Sequence, residues 1–292
     1  GVVGGLYAKA QGEPEEISRA VYEHYQPTGA DEAIPSNLTG CAVSLADKID
    51  SLVGCITFGL IPTGSSDPFG LRRAALGIVK IILERKLPIS LSAAVSAGVR
   101  ALHANPPKAK VKHEVEKVVF DFIADRAKFI FREKMGFAYD EVNAALAAGS
   151  DDLVDVQRRL EAIKATRRTK NFEPLAVSFK RIRKIVEKAG DPAGWRAAAV
   201  KPDLFDQPAE RALHDAAQTA AKRAGAEKRA GHYREALQVI SELRPSVDRF
   251  FDDVLVMAED EAVRKNRLTM LAELLSEFST VADFSEIVTE TR

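Results

Sequence analysis

Residues 67–85, DPFGLRRAALGIVKIILER, decide the fold class. Asp67 can accept hydrogen bonds from the free N–H groups that open a helix, and Pro68 suits the first helical position. Leu71, Ala75, Ile78 and Ile82 then fall on one face at helical spacing. The stretch predicts an amphipathic helix beginning at Pro68 and facing a core. Upstream, IPTGSS (61–66) has the composition of a loop, and Val43, Ala46, Ile49 and Val53 mark a helix within 41–58. A shorter helix is expected from Glu15 to Tyr25, before a loop that ends at Pro35. The first ten residues, GVVGGLYAKA, read as apolar, glycine-rich mid-domain sequence without a start methionine or signal-peptide layout, as in a fragment of a longer protein.

The same period recurs downstream. Helices are expected at 90–103, 112–135 (Val115, Val119, Ile123 and Ile130 in register), 139–147, 151–166 and 174–189. Gly136 is placed to stop the second of these. Four more follow at 207–228, 232–243, 246–258 and 260–278, the third capped by Ser246. Asn105-Pro106-Pro107 and the break from Asn171 to Pro174 mark two boundaries, and an irregular stretch runs from Ala189 to Pro208. No alternating strand pattern, repeat or low-complexity tract interrupts the series. The expectation is an all-α chain with domains at 1–105, 106–170 and 171–292. Its short late connectors favour an antiparallel bundle.

Composition agrees. The 292 residues carry 46% apolar and 29% charged side chains, the balance of a globular chain large enough for two or three domains. No run of about 18 uncharged apolar residues is present, which excludes a membrane helix and membrane partners. Two cysteines, Cys41 and Cys55, cannot staple a fold of this size and suggest the cytoplasm. They lack ligands at metal-binding spacing and read as packed core thiols.

Catalytic signatures are missing. There is no phosphate-binding glycine loop, nucleophile elbow or His-Glu-x-x-His, so no catalytic residue and no metal site are assigned. Asp47 and Asp50 share a helix face and could in principle hold a metal, as on the last aspartate helix of HD-type phosphohydrolases. That site needs a His and a His-Asp pair upstream, where only His24 stands; His214-Asp215 comes later. Arg72 and Arg73 lie near the positive end of their helix, where cations are disfavoured. They call for a structural ion pair with Asp47 or Asp50, or for contact with an external phosphate.

The chain has 42 basic and 42 acidic residues, yet its charge is uneven. Between Glu161 and Lys188, nine basic residues face three acidic ones, a net charge of +6. Lys180, Lys184 and Lys188 form a ridge at i, i+4 and i+8 beside Arg181, and a polyanion would relieve their mutual repulsion. Phe179, Ile182, Ile185 and Val186 are expected to form the buried side of that helix. A second cluster, Arg264, Lys265 and Arg267 with Asn266, offers forks that suit phosphates and base edges.

These residues resemble the beta subunit of the bacterial two-subunit glycyl-tRNA synthetase. The resemblance is carried by GVVGGLYA (1–8), HYQP (24–27), LADKIDSL (45–52), PTG (62–64) and DPFGLRRAALG (67–77). Towards the C-terminus it continues through Lys180-Arg181, FFD (250–252) to Val256-Met257, and Arg264 through NRLTML (266–271). It covers nearly the whole chain, most weakly over 105–170. Gly4 stands where the family usually has Met-Gly, and Gly70 where Ala is usual. Gly70 is expected to weaken the first turn of its helix by up to about 1 kcal/mol.

The resemblance implies the C-terminal part of an HD-like domain that has lost its metal set, a helical linker, and an anticodon-binding bundle. That bundle is similar to those of arginyl- and cysteinyl-tRNA synthetases. It implies a share in glycine–tRNA ligation: tRNA-Gly is bound and positioned here, while the alpha subunit carries the aminoacylation site with its ATP and Mg. No cofactor is expected in this chain, and DNA is not an expected partner. Lys180, Arg181 and Lys184 are the candidates for phosphate contact, and Arg264, Asn266 and Arg267 for base contact. Two alternatives are a metal-dependent phosphohydrolase fragment and a helical scaffold that binds only protein.

Overall fold

A computed structural model describes residues 1–104, 114–190, 194–195 and 198–289. The helices are α1 (Val2–Ala10), α2 (Glu15–Glu23), α3 (Leu38–Thr57), α4 (Leu71–Arg85), α5 (Leu91–Ala104) and α6 (Val115–Phe129). A π-helical turn, Ile130–Lys134, extends α6. Then come α7 (Tyr139–Ala147), α8 (Leu153–Thr166), α9 (Phe172–Lys188), α10 (Pro208–Arg229), α11 (Tyr233–Ser241), α12 (Arg244–Asp253) and α13 (Glu261–Phe278). Single 3-10 turns occupy Pro202–Leu204 and Phe284–Glu286. Among the described residues there is no strand, only one isolated bridge between Thr63 and Ser66, so the chain is all-α. The expected breaker Asn105-Pro106-Pro107 and the start of the 112–135 helix lie outside the described residues, as does part of the 189–208 stretch.

The chain forms two compact units. One comprises Gly1–Gly136 with Asp151–Asp155, the other Phe137–Ser150 with Val156–Arg292. In the first, α4 is the central rod. It packs on α3 and α6 and buries Leu71, Ala75, Leu76, Ile78, Val79, Ile81 and Ile82 around most of its circumference, leaving Arg73 and Glu84 exposed on the remaining side. A helix with so wide an apolar face belongs in a core. It starts three residues later than the sequence suggests. Both oxygens of the Asp67 carboxylate do cap it, accepting from the N–H groups of Leu71 (2.8 Å) and Arg72 (3.0 Å). Pro68 and Phe69, however, remain in the loop, because Gly70 takes the left-handed conformation (φ 66°) and only then does the helix begin.

Three of the stretches that carry the resemblance, 24–27, 45–52 and 67–77, meet on one buried ammonium. Lys48, 5% exposed, donates to the carbonyl oxygens of Tyr25 and Gln26 (both 3.1 Å) and to Ser44 Oγ (2.9 Å). Burial pushes its pKa down. Gly77 of α4 leaves room for this arm, since a Cβ there would lie 2.6 Å from Lys48 Cε. The glycine-rich start forms the helix that the sequence reading missed. A Cβ on Gly5 would stand 2.6 Å from Tyr22 Cβ, so the glycine is where α1 closes onto α2. Cys41 is buried and Cys55 half-buried, both as free thiols.

In the second unit, α10 and α13 are held by a buried ion pair. Arg267 donates from Nε and Nη2 to the two carboxylate oxygens of Glu210 (2.9 and 3.0 Å), and from Nη1 to the Leu255 carbonyl (3.0 Å). The same carboxylate accepts from the N–H groups of Asp206 (2.9 Å) and Gln207 (2.8 Å), which caps α10. Burial raises the Glu210 pKa, but the Arg267 hydrogen bonds and charge, with those two N–H groups, outweigh it and hold the carboxyl below its ordinary range. Residues 281–288 lie across α7 and α9. Phe284 sits against Phe172 and Phe179 (centroids 5.4 and 5.2 Å), Asp283 pairs with Arg183, and Asp140 accepts from the Val288 N–H (2.8 Å). Helix α12 starts at Arg244, two residues before the expected Ser246 cap, because Pro245 fits its first turn.

Two outcomes follow. Gly70→Ala lowers stability by about 1–2 kcal/mol, since an L-residue pays that much in the left-handed region. A helix-propensity argument forecasts the opposite sign, so the melting temperature by circular dichroism separates the two. Arg267→Met leaves a buried carboxylate unpaired and costs about 3–5 kcal/mol in urea unfolding. Because the native state holds Glu210 and Asp140 below the ordinary carboxylate range, their contribution is present at neutral pH. It is lost as pH falls through and below that range, and Glu210→Gln makes acid unfolding less steep.

Candidate nucleic-acid interface

Helix α9 divides its residues as an amphipathic helix should. Phe172, Leu175, Ala176, Phe179, Ile182 and Val186 are buried, with Ile185 half-buried at the margin. On the opposite side Arg181, Lys184 and Lys188 are exposed and Lys180 is half-exposed. None of the three lysines has an ion-pair partner among the described residues. Arg181 lies over the ring of Phe251 on α12 at 4.0 Å, which fixes its guanidinium while its rim stays open to solvent.

The rest of the basic segment is partly spent inside the protein. Arg167 pairs with Asp140 (2.9 Å) and Glu141 (3.5 Å), and the hydrogen bond and charge of Asp140 raise its pKa further. Arg183 pairs with Asp283 and, at 3.6 Å, with Glu286. Lys164 lies 5.0 Å from the Phe137 ring centre. The acceptors Asp140, Glu141, Asp283 and Glu286 come from residues well outside 161–188, so the segment's +6 is smaller in space than along the chain.

The second cluster is placed differently from its expected role. Asn266 and Arg267, proposed as base readers from residue type, are 5% and 4% exposed. The Asn266 amide closes a pair of hydrogen bonds with the backbone of Lys201, donating to its carbonyl (3.0 Å) and accepting from its N–H (2.8 Å). Arg267 is committed to Glu210 and Leu255. Arg264 is half-buried and donates to the Ala258 carbonyl (2.9 Å). Structure therefore moves Asn266 and Arg267 from candidate contacts to supports. They hold the 254–260 loop and the approach to α10 against α13. Only Lys265 of this run is fully exposed.

In the first unit, Arg72 is tied to its own loop, donating to the carbonyls of Gly64 (2.7 Å) and Ser66 (3.4 Å). The expected ion pairs of Arg72 or Arg73 with Asp47 or Asp50 do not form among the described residues. Backbone carbonyls offset Arg72 instead. Arg73 is exposed and lines a shallow cleft with Asp47, Lys48, Tyr25 and Phe69; Asp50 faces solvent. Among the described residues, no group of three or more His, Cys, Asp or Glu side chains could hold a metal ion. Nor is any described helix long and apolar enough to cross a membrane.

Comparison with known proteins draws these features together. Residues 1–147 match the family model of the glycyl-tRNA synthetase beta subunit, and residues 175–281 match the DALR anticodon-binding domain. The second range takes in α9 from its first turn and all of α10 to α13. Over 294 residues the chain is 44% identical to the glycine–tRNA ligase beta subunit of Acidobacterium capsulatum, covering 99% of this chain and 41% of that protein. The corresponding subunits of Anaeromyxobacter dehalogenans (strain 2CP-C) and Myxococcus xanthus are 44% and 43% identical, over 99% and 100% of this chain and 40% and 41% of theirs. The chain thus spans about 40% of the length of these curated relatives. With a family model matching half its length and relatives of one name along all of it, the chain belongs to the glycyl-tRNA synthetase beta subunit family.

Proposed function

We propose that this chain is the tRNA-binding part of a glycine–tRNA ligase beta subunit. Its bundle takes the anticodon region of tRNA-Gly and positions the tRNA for glycylation by an alpha subunit, in the cytoplasm. The observation that carries the reading is the exposed cationic ridge of α9, Lys180, Arg181 and Lys184, inside the range that matches an anticodon-binding domain. Backbone contacts from such a ridge fix register, while unstacked bases supply the sequence information. Residues 1–105 are assigned as an HD-like structural domain, 106–170 as a helical linker and 171–292 as the anticodon-binding bundle. ATP and Mg chemistry belongs to the alpha subunit. Arg73, unpaired within the described residues, is the remaining candidate for tRNA contact in the first unit.

The test is tRNA-Gly affinity as a function of salt, for the chain and for its Lys180→Ala/Arg181→Ala/Lys184→Ala variant. Each lost phosphate contact lowers the magnitude of the log–log salt slope by about 1. A drop of about 2–3 is expected, with the helical circular dichroism unchanged. Equal affinity and equal slope would remove this ridge from the interface.

A further inference from the structure

A second cationic feature lies apart from the lysine ridge. Where α8 hands over to α9, a cleft of about 780 Å³ opens within the second unit. Arg167, Arg168, Lys170 and Arg244 bring four cationic side chains to its lining, against the carboxylates of Glu173 and Asp248. Asp248 is already taken by Arg244 Nε at 3.3 Å, and Arg167 by Asp140 and Glu141. Arg168 and Lys170 are exposed, and neither has an ion-pair partner among the described residues. The hydroxyl of Thr169 adds a neutral donor, while that of Ser178 already donates to the Pro174 carbonyl (3.2 Å).

The wall is built to hold this arrangement. Asn171, at the head of α9, does not cap its own helix; its Oδ1 accepts from Arg244 Nη1 at 3.3 Å. That contact and the Asp248 pair hold the Arg244 guanidinium across the gap between α9 and α12. Arg168 and Lys170, set against the one remaining carboxylate of Glu173, therefore leave a small positive excess in the cleft beside a held guanidinium. Farther along the same two helices, Arg181 lies over Phe251.

We propose that this cleft is a phosphate-binding site for an RNA strand, with Arg168 and Lys170 making the contacts and Arg244 as the fixed wall. It rests on the tRNA-binding reading and extends it. The strand that meets the Lys180–Lys184 ridge continues along the α9–α12 groove and places a backbone phosphate at the α8–α9 turn. Exposed cations beside a held guanidinium suit a phosphodiester, which offers charge without demanding a particular base.

The experiment uses the whole chain and an Arg168→Ala/Lys170→Ala variant, both side chains being exposed so that the fold is kept. Binding of tRNA-Gly, of an unrelated tRNA and of a short oligouridylate is measured over a salt series. The expected result is a salt slope smaller in magnitude by about 1.5–2 for every RNA, with unchanged preference among them. Selective tRNA-Gly binding with an unchanged slope overturns the cleft proposal and leaves the tRNA reading standing. A reduced slope without any preference for tRNA-Gly keeps the cleft and overturns that reading. If no RNA binds, both fall. Melting in millimolar inorganic phosphate separates the source: stabilisation of the parent alone, with RNA slopes unchanged, makes this a free-phosphate site and overturns the proposal.

Discussion

One carboxylate organises the second unit. Glu210 caps the helix it belongs to, receives both arms of Arg267 from α13, and through that arginine fixes the carbonyl of Leu255 in the loop before α13. Burying a charge pair costs desolvation that attraction alone seldom repays, and the remaining lone pairs must be satisfied. Here they are, by two backbone N–H groups. The pair's value lies in what it excludes. No apolar substitute could specify the helix start, the interhelical register and the loop backbone together.

That rigidity bears on how the surface presents charge. The basic segment is a mixture of two populations that the sequence cannot separate. Arg167 and Arg183 knit α8 and α9 to α7 and to residues 281–288. Lys180, Lys184 and Lys188 are left outward on a helix whose other face is locked into the core. A chain with no net charge can thus keep a small, positioned cationic surface without drawing polyanions to the rest of itself.

Most of the helices were legible because their apolar faces repeat at 3.6 residues, and nearly every strongly periodic segment proved helical within a few residues of its expected ends. What was not legible depended on partners distant in sequence. The α1 glycines read as weak helix formers, and they are, but their missing side chains are what let α2 approach. Gly70 looked like a defect in a helix because its left-handed backbone is invisible to a propensity scale. Arg267 and Asn266 carried the right chemistry for bases. Their commitment to Glu210 and Lys201, 57 and 65 residues away, could not be inferred from spacing. The lysine ridge is a surface property of a single helix, and so it could be placed without knowing the neighbours.

The stretch from Asp283 to Val288 also sets an order of events. Its partners, Asp140, Ala144, Phe172, Phe179 and Arg183, are made at least a hundred residues earlier, yet they stay incomplete until this stretch is available. On a ribosome, α7 and α9 must therefore wait for Phe284 to cover Phe172 and Phe179 until α10 to α13 have been made. The first unit is made up of residues up to Asp155 and can close while the rest of the second is still being made. The unit to which RNA binding is assigned is the one whose core must be shielded longest during birth.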